Sequence, residues 1–203
     1  MRTSGSHAGV GDDRLLLAST SPQRKAILEQ LEIPFEVVPP RYEEQADVHQ
    51  DPITVVREHA RAKARSVEDQ AGDRPVLAVD TEVVLGDVVF GKPANATEAE
   101  RMLEGLSGAT HSVVSGLCLR TPAWETVEHE VTRVEFRELT PRDLAAYIET
   151  GEWKERAGAY AIQGRGAALV RRIEGDYLNV VGLPAALLVQ ILAERFAGTY
   201  GFG

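Results

Sequence analysis

Residues 76–93, which read VLAVDTEVVLGDVVFGKP, constrain the fold of this chain more than any other stretch. They open with an apolar run, which predicts a buried strand with Asp80 and Thr81 at its end. In open α/β sheets the carboxyl ends of strands border the crevice where ligands bind, so an acid at that edge indicates a functional site. Gly86-Asp87 predicts a turn between two short apolar runs, and the resulting hairpin ends near Lys92. One hairpin therefore carries both a carboxylate and an ammonium group.

Taken alone, Asp80 and Lys92 have two interpretations. Asp and Thr are common wherever strands end, so Asp80 could cap or turn the chain, and Lys92 could be a solvated loop residue. The catalytic interpretation therefore needs support from other segments.

A second candidate site lies near the N-terminus, at a predicted junction of strand and helix. Residues 15–18 predict a strand, and Ser21-Pro22 supplies the N-cap and the first position of a helix directly after it. The unpaired N–H groups and the positive dipole end of such a helix favour a bound phosphate. Arg24 and Lys25 lie in its first turn, where positive charge opposes the helix dipole unless a bound anion neutralises it. The alternative interpretation is that both side chains are simply solvated.

Three further sets of polar residues do not identify a site by themselves. Gln163 and Arg165 belong to a loop with Gly164 and Gly166, which lacks the third glycine of a dinucleotide fingerprint and is as typical of a turn or bulge as of a ligand loop. Residues 43–47 are acidic and form either a solvated loop or a source of oxygen ligands for a divalent cation. Lys63 lies on a helix predicted after Pro52, and its spacing does not distinguish it from other basic residues there.

Length and charge narrow the class of protein. The chain has 203 residues, of which 43% are hydrophobic and 26% charged, as in an ordinary soluble globular domain. A formal net charge of -9 argues against broad binding to nucleic acid or to an anionic membrane. No apolar run is long enough to span a bilayer, and residues 1–13 have no signal-peptide pattern and are predicted to form a disordered leader. Cys118, the single cysteine, is consistent with a reducing cytoplasm.

Four blocks together resemble the Maf family of nucleoside triphosphate pyrophosphatases, also called septum formation proteins. They are LLLASTSPQRKAILEQLEIPFEVV, VLAVDTEVVLGDVVFGKP, EAERMLEGLSGATHSVVSG and AGAYAIQGRGAALVRRIEGDYLNVVGLP, and the resemblance runs from Leu15 to about Leu192. Their order and separation are more specific than any single motif. The resemblance implies an α/β, Maf/ITPase-like fold for residues 14–203. In this fold a central, mixed, twisted sheet is flanked by helices, and a cleft separates two lobes of one domain.

The same resemblance implies an activity and a set of site residues. The family cleaves nucleoside triphosphates to the monophosphate and pyrophosphate with a divalent metal (Mg²⁺, Mn²⁺ or Co²⁺), clears the nucleotide pool, and is usually homodimeric. Asp80 matches its catalytic acid, taken as the proton acceptor. The other matching positions of the active cleft are Ser19, Arg24, Glu43, Lys63 and Lys92. Of these, Lys63 and Lys92 are assigned to catalysis with Asp80, and Glu43 is assigned with Asp80 to the metal.

Three positions set base preference in this family, and here they are Gln23, Thr81 and Gln163. Thr81 and Gln163 agree with the branch that hydrolyses dTTP and UTP, and an amide can both donate to and accept from a pyrimidine edge. With Arg165, these residues are the expected substrate contacts beside Ser19 and Arg24.

The chain departs from the family pattern at a few positions. Gln23 replaces the usual arginine and removes one charge that could pair with phosphate, which leaves open a second hypothesis: a nucleotide-binding regulator of cell division that hydrolyses little. Glu82 replaces an aliphatic residue and is either a further metal ligand or a solvated side chain. Glu155-Arg156 replaces Asp-Lys, which keeps both charges but changes their reach and donor geometry.

Overall fold

The computed structural model describes residues 13–43 and 50–202 of the chain. The leader predicted at residues 1–13 lies outside these ranges except for Asp13. Asp47 and Glu44 of the acidic segment lie outside them too, whereas Glu43 is described.

Seven strands of the described residues form one mixed sheet. In chain order they are β1 (Leu15–Ala18), β2 (Phe35–Val38), β3 (Val76–Leu85), β4 (Val88–Phe90), β5 (Thr110–Arg120), β6 (Glu125–Phe136) and β7 (Val170–Glu174). The strand order is β2-β1-β3-β5-β6-β7, and β4 also pairs with β3. β1 runs parallel to β2 and β3, whereas the other pairs are antiparallel.

Helices cover both faces of this sheet. They are α1 (Pro22–Gln30), α2 (Pro52–Arg65), α3 (Ala96–Leu106), α4 (Pro141–Ile148), α5 (Tyr177–Val181) and α6 (Ala185–Phe196). Ser21 caps α1 as predicted, because its side chain accepts from the Arg24 N–H and Pro22 takes a first-turn position where no N–H is needed. Among the described helices, none combines the length and the apolar composition that crossing a bilayer requires.

Alternation along β1 and β3 divides the core between the two faces. Leu16 and Ala78 pack in one buried cluster with Ala60 and Ala64 of α2. Residues at odd positions, such as Leu15, Leu17, Leu77 and Val79, pack in another with α1 and α6. A third cluster surrounds Val83, Val134 and Phe136 and includes residues of α3 and α4. The predicted α/β class, with a central mixed sheet flanked by helices, is confirmed, while the division into two lobes stays a prediction.

The predicted strand end at Asp80 is wrong, because β3 continues to Leu85. β5 pairs with β3 along nearly its whole length, and β4 pairs with its last three residues, so the backbone groups beyond Asp80 still have partners. It is the parallel pairing with β1 that stops early, with the last aligned pair at Leu17 and Leu77. The carboxyl end of β1 therefore lies beside the middle of β3, and the site forms there.

Helix α2 crosses the sheet very close to Asp80. Gly116 of β5 is the register partner of Asp80. A Cβ atom built on Gly116 would lie 2.2 Å from the carbonyl oxygen of Val56, so a side chain at this position would collide with the α2 backbone. The glycine thus brings α2 near enough for its side chains to reach β3.

Candidate active site

A cavity of about 740 Å³ lies where β1 ends and β3 continues. This volume is within the range of roughly 300–1,000 Å³ that is typical of small-molecule sites. Its walls come from the β1–α1 junction, the middle of β3, the end of β4, and the segments 154–163 and 180–182. The predicted site residues that line it are Ser19, Gln23, Arg24, Lys63, Asp80, Thr81, Lys92 and Gln163.

The Asp80 carboxylate is buried and held by two side chains of α2. Lys63 Nζ lies 2.5 Å from Asp80 Oδ1, and His59 Nδ1 lies 3.2 Å from Asp80 Oδ2. His59 and Lys63 are separated by one helical turn and so face the same side of α2. Asp80 itself is 5% exposed. One helix face therefore engages both oxygens of the carboxylate.

The pKa of Asp80 reflects these contacts. Burial by itself raises it, but the hydrogen bond from His59 and the charge and hydrogen bond of Lys63 outweigh burial. With a further contribution from the Arg24 charge, the pKa falls from 3.8 to about 2. The group is ionised at neutral pH, which suits it to orienting water or binding a cation better than to storing a proton.

Arg24 is fixed in the opposite wall. Its Nε donates to the Gly182 carbonyl at 2.9 Å, and Nη2 and Nη1 approach Thr81 Oγ1 and Ser19 Oγ at 3.3 and 3.4 Å. Thr81 Oγ1 also lies 2.8 Å from Ser115 Oγ. Because Asp80 and Thr81 are neighbours on β3, their side chains leave opposite faces of the strand, one toward α2 and the other toward Arg24.

The N-terminus of α1 also borders the cavity. Ser21 Oγ accepts from the Arg24 N–H and donates to Gln23 Oε1 at 3.1 Å, so the Gln23 carbonyl is turned back onto the cap. The positive end of the helix macrodipole therefore adds to the charge of Arg24 at this wall.

Cations from the remaining segments complete the walls. Lys92 is 64% exposed in its side chain, and its Nζ lies 3.4 Å from Glu155 Oε2. Lys154 and Arg156 line the cavity next to this pair. Arg156 Nε is buried and makes no hydrogen bond within the described part of the chain, and burial lowers the pKa of this guanidinium.

Glu152 shapes the glycine loop next to Gln163. Its carboxylate accepts from the backbone N–H of Arg165 and of Gly166, at 3.0 and 3.1 Å. Gln163, which precedes the 3₁₀ turn Gly164–Leu169, is exposed at the cavity wall.

Two predicted site residues lie elsewhere. Arg165 and Glu43 are both exposed, and neither is part of the cavity wall formed by the described residues. The assignment of Arg165 to the substrate and that of Glu43 to the metal stay predictions.

One group of side chains in the described ranges could surround a metal ion: His59, Asp80 and Glu82, whose ligand atoms all lie within 4.8 Å of one another. Asp80 and Glu82 are two residues apart on β3 and so project from the same face. Glu82 also lines the cavity, which favours the ligand interpretation over solvation. Carboxylate oxygens are the donors that Mg²⁺ and Mn²⁺ prefer, so the pair fits a divalent cation.

His59 was missed by sequence reasoning, although it belongs to the site. Its position four residues before Lys63 was the available signal, since residues at that spacing share a helix face. That signal alone could not show that this face of α2 meets Asp80, because the contact spans 21 residues and depends on packing at Gly116.

Comparison with known proteins identifies the family. The family model for Maf-like proteins matches residues 14–195. The dTTP/UTP pyrophosphatase of Aquifex aeolicus is 42% identical over 189 residues, which cover 92% of this chain and 99% of that protein. The dTTP/UTP pyrophosphatase of Nitratidesulfovibrio vulgaris is 47% identical over 185 residues, covering 90% of this chain and 88% of its own. The dTTP/UTP pyrophosphatase of Moorella thermoacetica is 47% identical over 184 residues, which cover 89% of this chain and 94% of that protein. The chain therefore belongs to the Maf family.

Proposed function

We propose that this protein hydrolyses the α–β phosphoanhydride of dTTP, UTP or related, including modified, pyrimidine nucleoside triphosphates in the cytoplasm. The products are the nucleoside monophosphate and pyrophosphate. The observation that carries the proposal is the cavity in which ionised, buried Asp80 faces cationic side chains from several distant segments. The names of the relatives, all dTTP/UTP pyrophosphatases, support the same activity.

The cationic walls suit a triphosphate. Arg24, Lys92 and Arg156 come from three separate segments and can neutralise charge that develops on the phosphoryl oxygens in the transition state. The N-terminus of α1 offers backbone N–H groups for the same purpose. Because Arg24 is already fixed to Gly182, little reorganisation is needed when the substrate binds.

Asp80 and Glu82 are proposed to hold the divalent cation, with Glu43 as a predicted further ligand. A cation bound there supplies charge stabilisation at the phosphate and lowers the pKa of a coordinated water. Asp80 orients the attacking water, while the hydrogen bond from His59 and the charge of Lys63 keep this carboxylate ionised.

Gln163 is proposed to read the base. Its amide can donate to O4 or O2 of uracil or thymine and accept from N3–H. A purine base presents a different arrangement of donors and acceptors. Thr81 and Gln23, fixed by their hydrogen bonds near the other wall, would limit the position of the sugar and phosphates.

Product identification tests the proposal. Common and modified nucleoside triphosphates are incubated with the protein and Mg²⁺, Mn²⁺ or Co²⁺, and pyrophosphate and orthophosphate are measured separately. We expect pyrophosphate in equal amount with the monophosphate, fastest for dTTP and UTP, and none when a chelator is present. Release of orthophosphate instead would indicate a phosphatase.

The second hypothesis, a nucleotide-binding regulator of cell division, rests on the neutral Gln23. It predicts that calorimetry detects binding of dTTP or UTP while no product forms with any of the three metals. Pyrophosphate release by the wild-type protein would contradict this second hypothesis.

A homodimer is also proposed, on the basis of the family alone. Sedimentation analysis at micromolar concentration would test it, and a mass equal to one 22.1 kDa chain would contradict it.

A further inference from the structure

His59 touches the proposed catalytic carboxylate without reaching the ligand. Its Nδ1 lies 3.2 Å from Asp80 Oδ2, whereas its side chain is buried and is not part of the cavity wall formed by the described residues. Among the described residues, the contact that links His59 to the proposed reaction is therefore the one with Asp80.

The chemistry of the contact fixes which nitrogen carries a hydrogen. An ionised carboxylate only accepts hydrogen bonds, so His59 Nδ1 must be the donor. Lys63 donates to the other oxygen of Asp80 at 2.5 Å. With one lone pair on each oxygen engaged by α2, the carboxylate plane cannot rotate freely, and the remaining lone pairs are left for the cavity.

The imidazole is itself held in place. Helix α2 is seated on β5 at Gly116 and is tied to β6 by a 3.0 Å hydrogen bond from Arg57 to the Val127 carbonyl. The ring of Tyr42 packs against His59 with centroids 5.8 Å apart. A donor on such a rigid element can orient a reactive group more accurately than one on a loop.

We propose that His59 is a positioning residue for the hydrolysis, and that its Nδ1–H holds the Asp80 carboxylate in the orientation that serves the bound water and cation. The proposal rests on the proposed function above. It assigns to His59 an orienting hydrogen bond and not a place in the metal's coordination shell.

Three substitutions of His59 test this role. His59→Asn places an amide N–H where Nδ1 stands, His59→Gln places it farther along the side chain, and His59→Leu removes it. We expect kcat for pyrophosphate release to fall about 10- to 100-fold in the Leu and Gln variants. KM should stay within about threefold of the wild type, and the Asn variant should recover most of the lost kcat.

A matched control separates positioning from stability. Val67→Ala removes apolar atoms from the buried cluster that packs around α2, just beyond the helix end, and Val67 is not part of the cavity wall formed by the described residues. It should lower the melting temperature but leave kcat unchanged. If His59→Leu does not fold, the comparison of the Gln and Asn variants carries the test, because both keep a polar side chain.

A measurement on the wild-type protein needs no turnover. Long-range ¹H–¹⁵N correlation of the His59 ring at pH 7 should show a protonated Nδ1. An unprotonated Nδ1, or full activity in His59→Leu and His59→Gln, would overturn the proposal. Absence of pyrophosphate release by the wild type would instead contradict the proposed function, and the ring measurement would still decide the hydrogen bond.

Discussion

At the scale of single residues, Lys63 and Asp80 depend on each other. Both are nearly inaccessible to solvent, and an isolated charge at either position would be costly. Together with the hydrogen bond from His59, their contact keeps Asp80 ionised in spite of burial, which is the state that the proposed reaction requires.

Replacement of Lys63 should change the titration of Asp80. In Lys63→Met the desolvation remains while the neighbouring charge is lost, so the pKa of Asp80 should rise from about 2. Carboxyl ¹³C NMR in a chelator solution would follow it, and pyrophosphate release should fall in parallel. An unchanged Asp80 midpoint would contradict the assigned role of Lys63.

The same contact makes wild-type stability depend on acid. Because the pKa of Asp80 is lower in the folded protein than its ordinary 3.8, its stabilisation is present above about pH 4 and is lost as the pH falls through about 2. The contribution is about 2 kcal/mol. Urea unfolding of Lys63→Met should show a smaller loss of stability between pH 4 and pH 2 than the wild type, because only the hydrogen bond from His59 and the charge of Arg24 remain.

The burial of His111 predicts a second loss of folding stability in acid, at a higher pH than the loss caused by Asp80. It is 1% exposed, its Nε2 lies 2.9 Å from the Tyr160 hydroxyl, and burial lowers its pKa from 6.5 to about 4. Below pH 6.5 the unfolded chain binds a proton that the folded protein does not, so stability falls as the pH drops from 6.5 to 4. The expected loss is about 3 kcal/mol.

His111→Gln tests this dependence, because an amide can keep the hydrogen bond to Tyr160 but does not titrate. Urea unfolding at pH 7 and pH 4.5 should show a smaller loss of stability in the variant than in the wild type. Equal losses in the two proteins would mean that His111 is not the titrating group.

At the scale of elements, the approach of α2 to β5 decides whether Asp80 meets its partners. Gly116→Ala would place a methyl group 2.2 Å from the Val56 carbonyl oxygen, so helix or strand must move. Overpacking of this kind typically costs about 1–3 kcal/mol. The displacement should also draw Lys63 and His59 away from Asp80 and lower kcat.

Gly105→Ala is the matched control for Gly116→Ala. Gly105 lies in α3, and a Cβ there meets only the Phe90 ring, at an ordinary 3.5 Å. Because alanine favours helix over glycine, the melting temperature should hold or rise, with unchanged turnover. Equal effects of the two substitutions would contradict the role given to Gly116.

Local signals in the sequence predicted the elements that local chemistry determines. Ser21-Pro22 and Pro52 mark the starts of α1 and α2, and Gly86-Asp87 marks the turn between β3 and β4. The continuation of β3 beyond Asp80 could not be predicted in this way, because it depends on pairing with residues of β5 that lie 28 to 34 residues away along the chain. Likewise the placing of His59 beside Asp80 follows from tertiary packing and not from any pattern in α2.

At the scale of the whole molecule, charge is distributed unevenly. The chain carries a formal net charge of -9, yet basic side chains from distant segments line one cavity. Such an arrangement attracts a small anion locally while the remaining surface repels a long polyanion. We expect double-stranded DNA at micromolar concentration to leave dTTP hydrolysis unchanged at physiological salt. Strong inhibition by DNA would contradict this distribution.

The decisive measurement is the kcat for pyrophosphate release from dTTP by Asp80→Asn, compared with the wild type and with Asp87→Asn. Asp87 is an exposed turn residue of the same hairpin, so its substitution should leave turnover unchanged. The asparagine at position 80 keeps the shape of the side chain but removes its charge, and kcat should fall by about 10²- to 10⁴-fold while thermal unfolding remains cooperative. Turnover near the wild-type value in a folded Asp80→Asn variant would contradict the proposal that Asp80 serves the attacking water.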